Sequence, residues 1–303
     1  MLIGFLTALT MIAFAANSVL CRIALGGGLI DPVSFMILRL VSGASFLLVV
    51  AQSRSQPIGP KARKIGGSWA SGIALFVYAA AFSLAYVTLQ TGTGALILFG
   101  SVQATMIGAG LRSGERPHPA QWLGLGVAVI GLVYLVFPGI EAPGILGALL
   151  MSISGISWGV YSLRGANEEA PLLSTSGNFI RALPMALLLS TIAASTLHAD
   201  FSGVVLAVIS GALTSGLGYV LWYQALRGLT TTRAAIVQLV VPILAALGGI
   251  VFMGELVTTR FVVATALVLG GVAVALLGRV SKCGVSEPQE RATEAHAGDG
   301  GQA

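Results

Sequence analysis

Two stretches of the chain repeat each other. They are residues 91–135, TGTGALILFGSVQATMIGAGLRSGERPHPAQWLGLGVAVIGLVYL, and residues 231–275, TTRAAIVQLVVPILAALGGIVFMGELVTTRFVVATALVLGGVAVA. A shift of 140 residues aligns Thr91 with Thr231, Ala95 with Ala235, Gly108 with Gly248, Gly114-Glu115 with Gly254-Glu255, and Gly131 with Gly271. Further upstream, a shift of 142 residues places Arg22 on Arg164 and Arg39 on Arg181. An apolar repeat of this length predicts a membrane protein built by duplication.

The composition supports a location in lipid. Of the 303 residues 56% are hydrophobic and 9% charged, and the mean hydropathy is +0.92; soluble domains carry about 25% charged residues. A helix needs about 20 apolar residues to cross the hydrocarbon core. Ten such runs lie at 3–25, 32–51, 66–89, 91–112, 119–138, 143–164, 173–197, 203–227, 231–253 and 258–279. These runs are continuously apolar, whereas the strands of a membrane β-barrel alternate apolar and polar residues. The predicted fold class is therefore all-α integral membrane.

The number of spans determines how the two halves are related. Each half has five, an odd number, so the second half enters the membrane from the opposite side. The sequence therefore predicts two inverted five-helix repeats around a central cavity. The first repeat covers residues 1–139 and the second residues 140–280, and a polar tail at 281–303 is expected to be disordered and cytoplasmic.

Basic residues predict the orientation, because Lys and Arg collect in cytoplasmic loops. With the N terminus inside, the outer loops hold only Arg260. The inner loops and tail hold Arg54, Lys61, Arg63, Lys64, Arg112, Arg116, Arg164, Arg227, Arg233, Arg279, Lys282 and Arg291. We expect a multi-pass protein of the cell inner membrane with both termini cytoplasmic. The net charge of +5 then reflects topology and contact with the lipid bilayer, and no nucleic-acid partner is expected.

Short motifs in both halves resemble a known family. Ala16-Asn17 is followed by Arg22, the second span carries Arg39, and Pro242 precedes Gly254-Glu255. This arrangement, over residues 3 to about 279, resembles the drug/metabolite transporter superfamily and its EamA-type ten-helix exporters, including aromatic amino acid exporters of the YddG type. The chain departs from the family pattern at two positions. Val102 stands in the first half where the repeat places the equivalent of Pro242, and Phe14 stands where relatives often carry Trp.

Polar and aromatic residues share one helical face in several spans. The resemblance implies that spans 1, 3, 4, 6, 8 and 9 surround the cavity. Spans 2, 5, 7 and 10 are plainer, in that they carry fewer polar and aromatic residues on one face. The predicted substrate-binding residues are Asn17, Tyr78, Phe99, Gln103, Ser157, Trp158, Tyr161, Tyr219, Trp222, Gln238 and Pro242. The alternative is an interfacial aromatic belt, which fits Trp69 and Trp122 well.

Ionisable residues are scarce in the spans. No Asp or Glu lies at the middle of a span, and His118, His198 and His296 lie in loops or the tail. Proton relays use buried ionisable groups, so gradient-driven movement or exchange without proton coupling is expected. Glu115 and Glu255 lie at helix ends and are interpreted as caps or gate elements. Arg39 and Arg181 are expected to pack against carbonyls or to snorkel rather than to hold a substrate carboxylate.

An integral-membrane enzyme and a channel are the alternatives from other classes of protein. An integral-membrane enzyme would rest on a G-x-S-x-G sequence at residues 155–159, but a nucleophile elbow needs a strand, a turn and a His partner. Helix packing explains the two glycines better, as it does Gly124, Gly126 and Gly131. A channel is disfavoured because neither a charged ring nor a carbonyl filter sequence appears. No cofactor, metal or catalytic residue is expected.

The sequence thus favours an exporter of small metabolites that works by alternating access. Amino acids, aromatic or otherwise large and neutral, are the first candidates, because the aromatic rings offer stacking surfaces and the polar groups offer hydrogen bonds. The alternative within the class is a proton-coupled exporter of another metabolite or a drug. The protein is expected to be a monomer or a weak dimer.

Overall fold

The computed structural model describes residues 2–53, 66–112, 119–137, 142–165, 168–229, 237–238 and 240–277. The described residues form ten helices: α1 (Leu2–Gly26), α2 (Pro32–Ser53), α3 (Trp69–Tyr86), α4 (Thr91–Arg112), α5 (Pro119–Val136), α6 (Ile145–Gly165), α7 (Pro171–Ile192), α8 (Phe201–Leu226), α9 (Val240–Met253) and α10 (Thr259–Leu277). In this part of the chain the only strand-like pairing is an isolated bridge between Ile30 and Ala199. The predicted all-α class is confirmed.

Helix lengths agree with a multi-pass membrane protein. Seven helices, α1 to α4 and α6 to α8, are long and apolar enough to cross a membrane, and shorter apolar helices cover Trp122–Val136, Val240–Met253 and Thr259–Ala275. The ten predicted runs match these ten helices, with local differences. The ninth run was predicted from residue 231, but residues 230–236 and 239 lie outside the described residues.

Local sequence explains where several helices begin and end. Pro32, Pro119 and Pro171 occupy the first positions of α2, α5 and α7, where a missing N–H leaves no hydrogen bond unmade. The third run was predicted to begin at residue 66. Instead α3 begins at Trp69, because the Ser68 side chain accepts a hydrogen bond from the backbone N–H of Ser71 and caps the helix.

The seventh run also ends earlier than predicted. It was drawn to residue 197, whereas α7 ends at Ile192 and a short 3₁₀ turn, Ala194–Thr196, follows. At the end of α9, Gly254 has φ +63°, a left-handed conformation that glycine adopts without steric cost.

The helices pack in a pattern that remains the same when the two halves are exchanged. Helices in equivalent positions contact each other: α2 with α7, α4 with α9, and α5 with α10. The helices α3 and α4 pack on α6, and their counterparts α8 and α9 pack on α1. Likewise α3 packs on α7 while α8 packs on α2. The contacts thus relate α1–α5 to α6–α10 by an exchange of the two halves.

Glycines allow α5 and α10 to approach closely. A Cβ atom on Gly124 would collide with the backbone of Gly271 and Ala275, and a Cβ on Gly271 would collide with Gly124 and Ala128. The predicted packing role of Gly124 is confirmed, as is that of Gly131, which faces α10. It is wrong for Gly126, around which nothing lies within 4 Å. Small residues give such contacts because lipid provides no hydrophobic force between helices.

Replacing Gly271 should separate these two helices. We expect Gly271→Leu to lower the melting temperature of the purified protein, because the new side chain meets backbone atoms that cannot move aside; overpacking typically costs about 1–3 kcal/mol. The neighbouring Gly270 has open space around it, so Gly270→Leu is the matched control. Equal melting temperatures for the two variants would contradict the packing described here.

Candidate substrate site

Aromatic rings from both halves meet at the centre of the molecule. The Trp158 ring of α6 lies 4.6 Å from the Tyr219 ring of α8, 5.1 Å from the Tyr78 ring of α3 and 5.4 Å from the Phe14 ring of α1, measured between centroids. The Tyr161 ring stacks on Trp158 at 5.5 Å. All five side chains are buried. The site is therefore built from helices of both repeats, and we call these five rings the central cluster.

Asn17 adds a polar network beside the central cluster. Its Oδ1 accepts hydrogen bonds from the Ser210 hydroxyl at 2.7 Å and the Thr214 hydroxyl at 3.1 Å. Its Nδ2 donates to the Tyr78 hydroxyl at 3.4 Å. Because Asn17 lies on α1 while Ser210 and Thr214 lie on α8, these bonds join the two halves at the depth of the rings.

A π-helical segment of α8 brings these hydroxyls to the centre. Residues Ser210–Leu217 form the π-helix, a wider turn that often occurs at functional sites. Close packing accompanies it: a Cβ on Gly211 would collide with Ser42 and with the Arg39 carbonyl of α2. The segment carries Ser210, Thr214 and Ser215, all of which are buried.

Arg39 lies among uncharged groups. Its Nε donates to the Ser215 hydroxyl at 2.8 Å, and its Nη2 donates to the hydroxyls of Tyr219 at 2.8 Å and Tyr78 at 3.0 Å. The guanidinium carbon also lies 5.1 Å from the centroid of the Phe82 ring. The side chain is buried, and Nη1 has no hydrogen-bond partner within the described residues.

The expectation for the two intramembrane arginines is confirmed for one and wrong for the other. Arg181 donates to the carbonyl oxygens of Gly66 at 2.7 Å and Gly177 at 2.9 Å. Arg39 binds three hydroxyls instead, because α3 and α8 present tyrosine and serine side chains where the Arg181 environment presents main-chain carbonyls. The interpretation of span 2 as plain is wrong for the same reason.

The cavity between the rings is small. Its volume is about 20 Å³, and it is lined by Phe14, Asn17, Ser18, Tyr78, Phe82, Leu98, Phe99, Trp158 and Tyr219. A single buried water needs about 10–15 Å³ by such a measure, so the cavity has room for a water molecule and not for an amino acid. The central region is therefore closely packed in this structure.

The predicted residues fall into four groups. Five line the small cavity: Asn17, Tyr78, Phe99, Trp158 and Tyr219. Tyr161 is in the central cluster, and Trp222 joins it through Phe14, with ring centroids 5.8 Å apart. Gln103, Gln238 and Pro242 are buried. Ser157 is half-buried, whereas Ser154, which is buried, donates a hydrogen bond to the Tyr78 carbonyl at 3.1 Å.

Sequence reasoning left out of the predicted set several residues that build this region. Phe14 lay on a recognised stripe of span 1 but was not included. Arg39 gave a visible signal, since a charged residue inside a span is costly and frequently functional. Ser210 and Thr214 gave none, because the π-helix that turns both hydroxyls towards Asn17 breaks the 3.6-residue period on which facial patterns depend.

At one end of the bundle, an ion pair joins α1 to the segment that follows α9. Arg22 Nε of α1 lies 3.3 Å from Glu255 Oε1, and both Glu255 oxygens accept from the backbone N–H of Thr91 at 2.8 and 3.0 Å. Arg22 Nη1 also donates to the carbonyl oxygens of Tyr86 and Val87. Glu255 thus caps the start of α4, while Arg22 caps the end of α3. The predicted capping role of Glu255 is confirmed, whereas Glu115 lies outside the described residues.

Asp31 links two loops on the same side. Its Oδ1 accepts from the backbone N–H groups of Val33 and Ser34, and its Oδ2 accepts from that of His198 at 2.9 Å. Burial raises the pKa of Asp31, but the hydrogen bonds from Ser34, His198 and Val33 outweigh burial and hold this pKa below its ordinary value. The α1–α2 loop and the α7–α8 loop are therefore held together where Glu255 ties α9 to α4.

The G-x-S-x-G glycines serve helix packing, as predicted. A Cβ on Gly155 would collide with the Leu98 carbonyl, and one on Gly159 would lie 2.9 Å from Thr105, both on α4. The motif lies within α6, so it forms no strand-to-helix elbow. Within the described residues no group of three or more His, Cys, Asp or Glu side chains is placed to hold a metal ion.

A bundle of apolar helices with a buried polar and aromatic centre is the architecture expected of a membrane transporter, and the comparisons with known proteins support that class. The EamA-like transporter family matches residues 145–277. The chain is 51% identical to the uncharacterized protein PA1977 of Pseudomonas aeruginosa over 277 residues, which cover 91% of this chain and 95% of that protein. The chain belongs to the EamA-like transporter family of the drug/metabolite transporter superfamily.

More distant similarities agree. An uncharacterized transporter of Archaeoglobus fulgidus is 24% identical over 264 residues, which cover 82% of this chain and 89% of that protein. A crystal structure with 21% sequence identity superimposes with a TM-score of 0.60 and covers 90% of this chain and 97% of that one. At this identity the superposition shows a shared fold.

Trp158 offers a direct test of the central cluster. Trp158→Phe keeps an apolar ring in place but removes part of the stacking surface, and aromatic pairs contribute about 0.5–1.5 kcal/mol beyond burial. We expect the apparent affinity for an aromatic cargo to fall by up to about tenfold, measured by counterflow in proteoliposomes. Trp122 is 54% exposed, so Trp122→Phe is the control. Unchanged affinity in Trp158→Phe would assign the ring to packing alone.

Proposed function

We propose that this transporter exports small metabolites across the cell inner membrane, and that its first substrates are amino acids with aromatic or other large neutral side chains. The observation that carries this proposal is the central cluster with Asn17 beside it. Aromatic rings can stack on an apolar side chain, and amide and hydroxyl groups can hydrogen-bond to a backbone-like amino and carboxyl group. Both kinds of group line one cavity.

Alternating access between residues 1–139 and 140–280 explains how so closed a site would be used. The cavity of about 20 Å³ must enlarge to admit an amino acid, and its walls come from both halves. On the side of Glu255 the halves are joined by the Arg22–Glu255 pair and by Asp31. Opening that side would break these contacts, so their formation and loss are natural steps of the transport cycle.

The test of transport is a counterflow panel. The purified protein would be reconstituted in liposomes loaded with one unlabelled amino acid, and uptake of the labelled compound would be followed for aromatic, aliphatic and charged amino acids and for nucleosides. We expect saturable exchange of the aromatic and large neutral amino acids. Exchange of nucleosides alone would contradict the substrate class. Linear uptake without saturation would indicate a channel, and chemical change of the recovered compound an enzyme.

The same liposomes test energy coupling. Sequence places no carboxylate at the middle of a span, and the described Glu255 is engaged with Arg22 and the start of α4. We therefore propose that the substrate gradient alone sets the direction of transport. A pH gradient imposed with equal substrate on both sides should produce no net accumulation. Uphill transport that a protonophore abolishes would favour the proton-coupled alternative and direct attention to Glu255.

The orientation is tested by thiol labelling. The distribution of basic residues supports cytoplasmic termini, which would place the loop after α9 in the periplasm and Cys283 in the cytoplasm. Leu256 in that loop is 80% exposed, and Cys21 is fully buried. In intact cells an impermeant maleimide should label Leu256→Cys and leave the wild-type protein unlabelled. Labelling of wild-type Cys283, with none at Leu256→Cys, would reverse the orientation.

A further inference from the structure

Arg39 holds an uncompensated positive charge within the proposed transport site. Arginine stays protonated in proteins, and the only salt bridge within the described residues joins Arg22 to Glu255. The described acidic residues all lie in loops: Asp31, Glu168, Glu169, Asp200 and Glu255. A buried charge without a counter-charge is strongly unfavourable compared with one in water.

We infer that Arg39 binds the carboxylate of the cargo, and that an anionic carboxylate on an apolar body, rather than an ammonium group, is the feature the site requires. This inference rests on the proposed function, because it assumes that the central cluster is where cargo binds. It goes further in naming the charged group that the site selects and the residue that selects it.

The free donor of Arg39 is the first argument. A guanidinium has five N–H donors in a planar fork. Three hydrogen bonds to hydroxyls are formed by Nε and Nη2, while Nη1 is buried and has no partner within the described residues. A cargo carboxylate can accept from Nη1, and a charge-assisted bond of this kind is shorter and stronger than a bond between neutral groups.

The position of Arg39 is the second argument. Two of its hydrogen-bond partners, Tyr78 and Tyr219, line the small cavity, and so does Phe82, against which its guanidinium lies. The charge is therefore one side chain away from the cavity. An aromatic or apolar body placed among the rings of the central cluster would bring an attached carboxylate into the neighbourhood of the guanidinium.

Arg181 shows what a purely structural arginine looks like in this fold. It is the residue that the 142-residue shift superimposes on Arg39, and its Nη1 binds two main-chain carbonyls. Carbonyl oxygens are strong acceptors that satisfy a guanidinium without any ligand. Arg39 binds hydroxyls instead, so the two equivalent positions have different environments. Of the two arginines, Arg39 is the one with a buried nitrogen that has no partner within the described residues.

The sign of the charge then predicts selectivity. A carboxylate would neutralise the buried guanidinium, whereas a cargo bearing only an ammonium group would add a second positive charge to a region with little water. A zwitterion keeps the favourable carboxylate contact, and its ammonium can lie over the face of an aromatic ring such as Trp158. Carboxylates and zwitterions should therefore bind, and amines should not.

Four matched probes test this on the full-length protein: 3-phenylpropanoate, phenylalanine, phenylalaninamide and phenethylamine. Binding is measured by ligand-induced shifts of the melting temperature in detergent, and transport by counterflow in proteoliposomes. In the wild-type protein we expect the two carboxylates to bind about 10- to 100-fold more tightly than the two compounds without one, the range for a hydrogen bond to a charged group.

Variants of Arg39 show whether this residue causes the preference for carboxylates. Arg39→Gln should lower the affinity for both carboxylates by about 10- to 100-fold and remove the preference over the amine, while Arg39→Lys, which keeps the charge without the fork, should be intermediate. Arg181→Gln, the matched control, should retain the wild-type order of the four probes because its guanidinium binds carbonyls. If Arg39→Gln does not fold, the wild-type probe series and Arg39→Lys still decide whether Arg39 selects the carboxylate.

The inference is overturned if phenethylamine binds the wild-type protein as tightly as 3-phenylpropanoate, if no carboxylate binds, or if Arg39→Gln keeps the preference for carboxylates. These outcomes are distinct from failure of the proposed function. Amino acid counterflow with unchanged affinity in Arg39→Gln would leave the function standing and remove the role of Arg39. Arg39-dependent binding of 3-phenylpropanoate without exchange of any amino acid would support the role of Arg39 and contradict the proposed export of amino acids.

Discussion

Lipid provides no hydrogen-bonding partner for a polar group, and the arrangement of the centre follows from that constraint. A polar side chain carried into the span therefore depends on partners within the protein, on its own helix, as the Thr10 hydroxyl on the Leu6 carbonyl, or on another helix. Asn17 finds three of its partners on α3 and α8, and Arg39 finds its own on the same two helices. One network therefore fixes how α1, α2, α3 and α8 approach one another. The rings of the central cluster pack beside this network.

The same constraint applies at the helix ends, where four N–H and four carbonyl groups lack partners within the helix. On the side of Glu255 these groups are satisfied by side chains from other parts of the chain. Glu255, which follows α9, accepts from the start of α4, and Arg22 of α1 donates to the end of α3. Arg22 and Glu255 therefore cap helix ends and also form the ion pair between the two halves. Movement of one half would remove caps from the other, which couples helix stability to conformational state.

Small residues set how closely the helices pack. At α5 and α10, Gly124 and Gly271 bring the two backbones into contact, and at α2 and α8 Gly43 and Gly211 do the same beside Arg39. The first pair lies away from the site and joins equivalent helices of the two halves. The second lies at the π-helix, where the close approach brings Ser215 within hydrogen-bond distance of Arg39. Close packing at glycines thus holds α5 against α10, and it sets the geometry of the site between α2 and α8.

The sequence by itself determined the membrane class, the ten helices and the repeat, because hydrophobic run length and a fixed shift of 140 to 142 residues are properties of the chain alone. It also located the aromatic residues of the central cluster, since Tyr78, Trp158, Tyr161 and Tyr219 lie on polar or aromatic stripes of single helices. Contacts between helices were decided only by the tertiary structure. Facial patterns assume 3.6 residues per turn, so they could not reveal the π-helix that turns Ser210 and Thr214 towards Asn17. Nor could they distinguish Arg39 from Arg181, because whether a buried guanidinium meets hydroxyls or carbonyls depends on neighbouring helices that are distant in sequence.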